Sequence, residues 1–138
     1  MGYIDKAKEI KSKPKTSVAS MVVELMDASN KFHILHLTVK GPGSYAAHQA
    51  LGELYNALPD FADGLAEGYQ GVTGTLLEYP SVTVSPMNSV KEALSYIDTL
   101  YGKVTNLQES LPYSEIVNDL DTLKSKLNSA KYKLTFLA

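Results

Sequence analysis

A Gly41-Pro42-Gly43 tripeptide separates two long stretches whose apolar residues recur every three to four positions. That juncture constrains the fold more than any other feature. The tripeptide reverses the chain within a few residues, and the flanking periodicity is helical, so the two stretches must pack as an antiparallel helical hairpin. The first helix is expected from about Ser17 to Val39, with Val18, Val22, Leu25, Met26, Phe32 and Leu35 as its apolar stripe. The second starts near Ser44 and ends near Gly71. It carries Tyr45, Ala47, His48, Leu51, Tyr55, Leu58, Ala62, Leu65, Ala66 and Tyr69. Pro59 lies inside it and predicts a kink, because proline lacks the N–H that closes a helical hydrogen bond.

A second helical pair follows. Residues 71–87 contain Gly71, Gly74, Pro80 and Pro86 and read as a connection, with β-branched Val82, Thr83 and Val84 too isolated to make a sheet. A third helix is expected from Asn88 or Ser89, where Ser89 and Glu92 fit a capping box. Ala93, Leu94, Ile97, Leu100, Tyr101, Val104 and Leu107 continue it. Pro112 breaks the pattern. A fourth helix begins at Tyr113 or Ser114 and presents Ile116, Val117, Leu120, Leu123, Leu127, Ala130 and Leu134. The fold class is therefore all-α. Hairpin, long connection, hairpin is the order of a ferritin-like four-helix bundle with a crossover between its second and third helices. A simple up-down-up-down bundle is the rival, but it has no need of some sixteen residues at that point.

Composition narrows the chemistry. The 138 residues suit one domain at 16–138 behind a lysine-rich tail at 1–15, and 44% are hydrophobic, enough for a core. No cysteine is present, which excludes a disulfide scaffold, a thiol nucleophile and a thiolate metal site. No apolar run is long enough to span a membrane, and the N-terminus lacks the apolar core of a secretory signal, so a cytoplasmic protein is expected. All 13 basic residues are lysines. Bidentate guanidinium recognition of phosphate or guanine is thus excluded. The first 15 residues carry a net charge of +3 and the other 123 carry −5, so weak, salt-sensitive DNA binding would start from the tail. A solvated terminus is the plainer reading.

The polar residues within the helices raise the question of function. His36 and His48 flank the tight turn, twelve positions apart, and an antiparallel hairpin can bring both imidazoles together. Imidazole suits iron, zinc or copper. A histidine satisfied inside an interface is the competing account. His33 neighbours the same face as ligand, ligand support or plain polar flank. Asp60, Asp63 and Glu67 share one side of the second helix. His48 and Asp63 are fifteen positions apart on that helix, roughly 22 Å. They cannot hold one metal within one chain. A shared site would need a second chain across a two-fold axis, which generates two such sites at once. Glu24 and Asp27 read as solvent-facing, and the nine tyrosines as half-buried packing.

The segment Leu35-His-Leu-Thr-Val-Lys-Gly-Pro-Gly-Ser-Tyr-Ala-Ala-His48 resembles the signature of the Dps-like ferritins, and Asp63-Gly-Leu-Ala-Glu67 resembles their Asp-x-x-x-Glu motif. The likeness is closest over residues 35–71. Ser44-Tyr-Ala-Ala-His and Ala50-Leu-Gly-Glu53 are also similar to stretches of small phage proteins that look like shortened relatives of that fold. The resemblance implies a homo-oligomer built on two-fold dimers, up to a hollow dodecamer. It implies ferrous iron bound by His36 and His48 of one subunit with Asp63 and Glu67 of the next. It further implies ferroxidase activity with peroxide, iron storage and DNA protection through lysine-rich tails. An assembly protein of a phage or bacterium, virion-associated in the phage case, is the non-catalytic alternative. Two departures stand out. The family's carboxylate four residues after the second histidine is Gly52 here, and the aromatic after the first is Leu37.

Overall fold

A computed structural model describes residues 16–82 and 85–138. The lysine-rich tail, and with it the expectation of DNA binding, lies outside the described residues, as do Thr83 and Val84. Four helices account for the regular structure: α1 (Val18–Thr38), α2 (Ser44–Thr73), α3 (Val90–Ser110) and α4 (Ser114–Phe136). No strand occurs among the described residues. None of these helices is long and apolar enough to cross a membrane.

Local chemistry sets each boundary. Ser17 caps α1, its Oγ accepting the Ser20 N–H at 3.1 Å. Between α1 and α2, Gly41 and Gly43 adopt φ of +89° and +78°, which side chains other than glycine resist. At Gly43 a Cβ would also collide with the backbone of Ala138. Gly74 ends α2 in the left-handed region, its N–H donating to the Gln70 carbonyl. Ser89 caps α3 by accepting the Glu92 N–H at 3.1 Å. Glu92 reaches back, as expected, but to the Asn88 N–H at 2.7 Å, one residue before the cap.

The predicted kink site has a specific solution. Helix α2 continues through Pro59. Proline has no N–H to offer the Tyr55 carbonyl one turn earlier. The Ser29 hydroxyl of α1 donates to that carbonyl at 2.8 Å. Ser29 is one of only two buried polar residues among those described, and this bond explains it.

One apolar core joins all four helices. It is centred on Met21, Leu25, Phe32, Leu35, Leu51, Leu58, Ile97, Leu100, Leu107, Leu123 and Leu127, all essentially inaccessible. Helix α1 packs on α2 and α3, and α4 packs on α2 and α3, while the diagonal pairs α1–α4 and α2–α3 barely touch. The α2–α3 connection doubles back at once. Gln70 Oε1 accepts from the Leu77 N–H at 3.0 Å and from the Tyr79 hydroxyl at 2.9 Å. Met87 is buried, and Asn88 and Ser89 share a cleft with Pro42, Gly43 and Ser44 at the start of α2.

Three expected environments are corrected. Met26, assigned to the core stripe, is 46% exposed, and Tyr45 on α2 is 76% exposed. Met26 lies beside Asp63 and Glu67 on a face of the hairpin that no other helix covers, and Tyr45 lies in the first turn of α2. Asp27, expected in solvent, is buried at the α1–α3 seam. Its carboxylate pairs with Lys31 one turn on at 3.2 Å, and Lys31 lies over the Tyr96 ring at 4.4 Å.

Candidate metal centre at the helical hairpin

The turn brings His36 and His48 together, and each side chain is bonded to the other's backbone. His36 Nδ1 lies 2.8 Å from the His48 carbonyl oxygen, and His48 Nδ1 lies 2.8 Å from the His36 carbonyl oxygen. A carbonyl oxygen only accepts, so both Nδ1 atoms carry the proton and donate. The rings stack with centroids 3.6 Å apart and planes 18° apart. In the neutral imidazoles the lone pair is therefore on Nε2 of each ring. A metal-binding histidine commonly has this arrangement, its other nitrogen held by a backbone carbonyl. The donor chemistry thus fits a metal, while the bonds satisfy the interface reading at the same time.

Tyr55 and Gly52 complete the surroundings. Tyr55 sits edge-on to His36 at 5.1 Å and stacks on His33 at 4.0 Å with planes 8° apart. His33 is exposed, and its ring is 6.0 Å from that of His36. A Cβ at Gly52 would sit 3.4 Å from His36 Cε1 and 3.5 Å from Nδ1. The bare glycine lets the His36 ring lie against the α2 backbone. The position where the sequence resemblance leads one to expect a carboxylate thus accommodates an imidazole. In the sequence Gly52 reads as a missing ligand and Tyr55 as ordinary half-buried packing. The spacing His48, Gly52, Tyr55 was the available signal, since steps of four and three keep residues on one helix face.

The acidic residues lie elsewhere on the same hairpin. Asp63 and Glu67 are exposed, at the rim of a cleft of about 400 Å³ floored by Val22, Val23, Met26 and Ala66 and closed by Tyr79. Asp60 faces a different groove, beside α4. Among the described residues no three of the His, Asp and Glu side chains gather closely enough to hold a metal. The structure therefore joins His36 to His48 and Asp63 to Glu67, and does not join the two pairs within one chain. The exposed Leu37 and Tyr45, 69% and 76% accessible, lie beside the histidine pair on this hairpin.

Comparison with known proteins gives kinship without chemistry. A family model described as a family of unknown function (DUF5856) matches residues 36–134. The chain is also 27% identical over 113 residues to an uncharacterised 14.6 kDa protein from the mobD-ri intergenic region of Enterobacteria phage T4. That match covers 80% of this chain and 82% of the phage protein. No solved structure matches.

Proposed function

We propose that this chain, which belongs to the family of unknown function DUF5856, is a Dps-like iron-binding protein on a ferritin-like bundle, with its metal site shared between two subunits. The observation that carries this reading is the reciprocal bonding of His36 and His48, which holds both Nδ1 atoms and leaves both Nε2 atoms as donors. Stacked rings hold their lone pairs in two nearly parallel planes that do not converge on a common point, so the two imidazoles suit two ions better than one. Carboxylates from a two-fold partner, Asp63 and Glu67, would supply hard oxygen ligands. Iron is the substrate: peroxide would take one electron from each of two ferrous ions and leave ferric product to be sequestered. The lysine-rich tail adds weak, non-specific DNA binding to this reading.

The ferritin-like topology has its own support. Consecutive helices α2 and α3 lie diagonally, and the connection leaves the end of α2 at Gln70 and returns beside its start at Ser44. A connection that runs the length of the bundle has this signature, whereas a simple up-down bundle would make α2 and α3 neighbours.

Anaerobic ferrous titration tests the site. Wild-type protein should bind iron, and His36→Ala/His48→Ala and Asp63→Asn/Glu67→Gln should each lose it while keeping their helical circular dichroism. Mixing the two variants should restore one site per heterodimer, because one partner supplies histidines and the other carboxylates. Equal binding by wild type and the histidine variant sinks the proposal; absence of complementation sinks the sharing between subunits. A second reading, a non-catalytic phage or bacterial assembly protein, is favoured by Gly52 in place of a ligand and by the phage T4 relative. It predicts iron-independent assembly.

A further inference from the structure

Charge is distributed along the bundle, from one end to the other. The α1–α2 turn, the start of α3 at Asn88 and Ser89, and the end of α4 at Ala138 meet at one end. The far end holds the other four helix termini. There the Thr16 N–H, just before α1, donates to Asn106 Oδ1 near the end of α3 at 3.0 Å. Tyr69 near the end of α2 packs edge-on to Tyr113, just before α4, at 6.2 Å. With each helix divided at its midpoint, the turn half carries six lysines and three carboxylates, a net +3. The far half of residues 16–138 carries two lysines and ten carboxylates, a net −8. Residues 1–15 join the chain at this end; their +3 still leaves it at −5. Exposed apolar side chains follow the same axis. Among the described residues, every large hydrophobic side chain more than half exposed lies within about a turn of an end. Leu37, Tyr45, Tyr132, Phe136 and Leu137 stand at the turn end, and Leu76, 81% exposed, follows Gly74 at the other.

We infer that the turn end of one copy docks on the far end of the next, head to tail. Exposed apolar clusters rimmed by charge mark interaction surfaces, and here charge selects the occupant. Turn end against turn end sets +3 against +3, and far end against far end sets two strongly negative surfaces together. Only the contact between unlike ends pairs opposite signs, and one chain carries both halves of it. The same contact covers Leu76 with the apolar side chains around Tyr45 and Phe136. Because the two surfaces lie at opposite ends, the contact does not close on itself, and copies add in a line. This association is independent of the metal reading. Phe136 is on α4, which barely touches α1, so the end contact reaches beyond the α1–α2 face that the two-fold pairing uses.

Sedimentation velocity of the full chain tests the inference at about 0.01 M and about 1 M salt, where charges are screened beyond about 30 Å and about 3 Å. At low salt the average sedimentation coefficient of wild type should keep rising with concentration past that of a dimer; at high salt this growth should be lost. Lys40→Glu/Phe136→Glu removes the net positive charge of the turn half, and Leu76→Lys/Glu109→Lys sets lysines on the far end. Each variant alone should associate about tenfold more weakly or less still. Mixed, they keep one intact interface, the far end of the first with the turn end of the second, and should stop at heterodimers. All four side chains are exposed, so helical circular dichroism should not change. A dimer that does not grow and survives in both variants overturns the inference, as does growth that is equal at both salt concentrations. Loss in the far-end variant alone also overturns it, because another positive segment would then fill that end. A wild type that stays monomeric overturns it too. Binding to phosphatidylglycerol vesicles or duplex DNA that Lys40→Glu/Phe136→Glu abolishes would then assign the turn end to that partner. Neither variant alters a proposed iron ligand, so failure here leaves the ferrous titration unaffected, and the reverse holds.

Discussion

At Tyr96 the balance of burial and charge can be read at a single atom. The hydroxyl is buried at the α1–α3 seam without a hydrogen-bond partner, as is Oδ1 of Asp27. Burial, then the negative charges of Glu24 and Asp27, push the phenol far above its ordinary value. The folded protein therefore keeps a proton that the unfolded chain releases above about pH 10. Its contribution to stability is complete below that pH and is lost as the pH rises further. Tyr96→Phe should remove this part of the alkaline loss, seen as a smaller fall in urea midpoint between pH 9 and pH 11 than in wild type. At neutral pH the same substitution deletes an unpartnered hydroxyl and should be neutral or stabilising by up to about 1 kcal/mol. The ring itself still packs edge-on to Phe32 at 5.7 Å. Nothing local in the sequence announces this cluster. Asp27 and Lys31 one turn apart are ordinary surface spacing, and only the long-range approach of Tyr96 puts them inside.

Among the elements, α2 shows how a helix absorbs an internal proline. Its continuity depends on a donor from another helix, Ser29 on α1. Ser29→Ala should leave the Tyr55 carbonyl without its partner and cost about 1–3 kcal/mol in urea denaturation. Pro59→Ala restores the missing N–H, so the Ser29→Ala penalty should shrink in that background. A double-mutant cycle with no coupling would show that the two features are unrelated. Helix limits were legible in the sequence to within one or two residues, because caps, glycines and prolines mark them locally. Which side of each helix faces inward was less so. Met26 and Tyr45 continue an apolar period, yet the outward side of a hairpin is fixed by where α3 and α4 dock, and periodicity does not carry that information. Pro59 announced a missing bond, but not that Ser29, thirty positions away, would replace it.

For the whole molecule, the outward side of the hairpin carries exposed apolar side chains that a second copy would cover. Met26, Leu37 and Tyr45 are exposed on it, with imidazoles beside the turn and carboxylates further along α2. A two-fold axis would set one copy's carboxylates against the other's imidazoles. If the proposed two-fold dimer forms through this side, Met26→Lys/Leu37→Lys should abolish it in sedimentation velocity without loss of helicity, because neither side chain is buried in the single chain. An unchanged sedimentation coefficient would assign the interface to another surface. The sequence made the candidate residues legible, since the turn and the helical rise alone keep His48 from Asp63. The pairing of each imidazole with the other's backbone was not legible, because it depends on a close approach that Gly52 permits.

The same pairing bears on the order in which the chain folds. The two bonds between His36 and His48 join residues twelve apart and therefore close a short loop, at a small cost in chain entropy. Both can form only in one register of α1 against α2; a slip of one turn breaks the two together. The hairpin thus has a local, register-defining clasp available before α3 and α4 arrive. Contacts of this separation are the kind that fast-folding helical proteins make first. The histidine pair would serve the chain as an early checkpoint of alignment, whatever it holds once folding is complete.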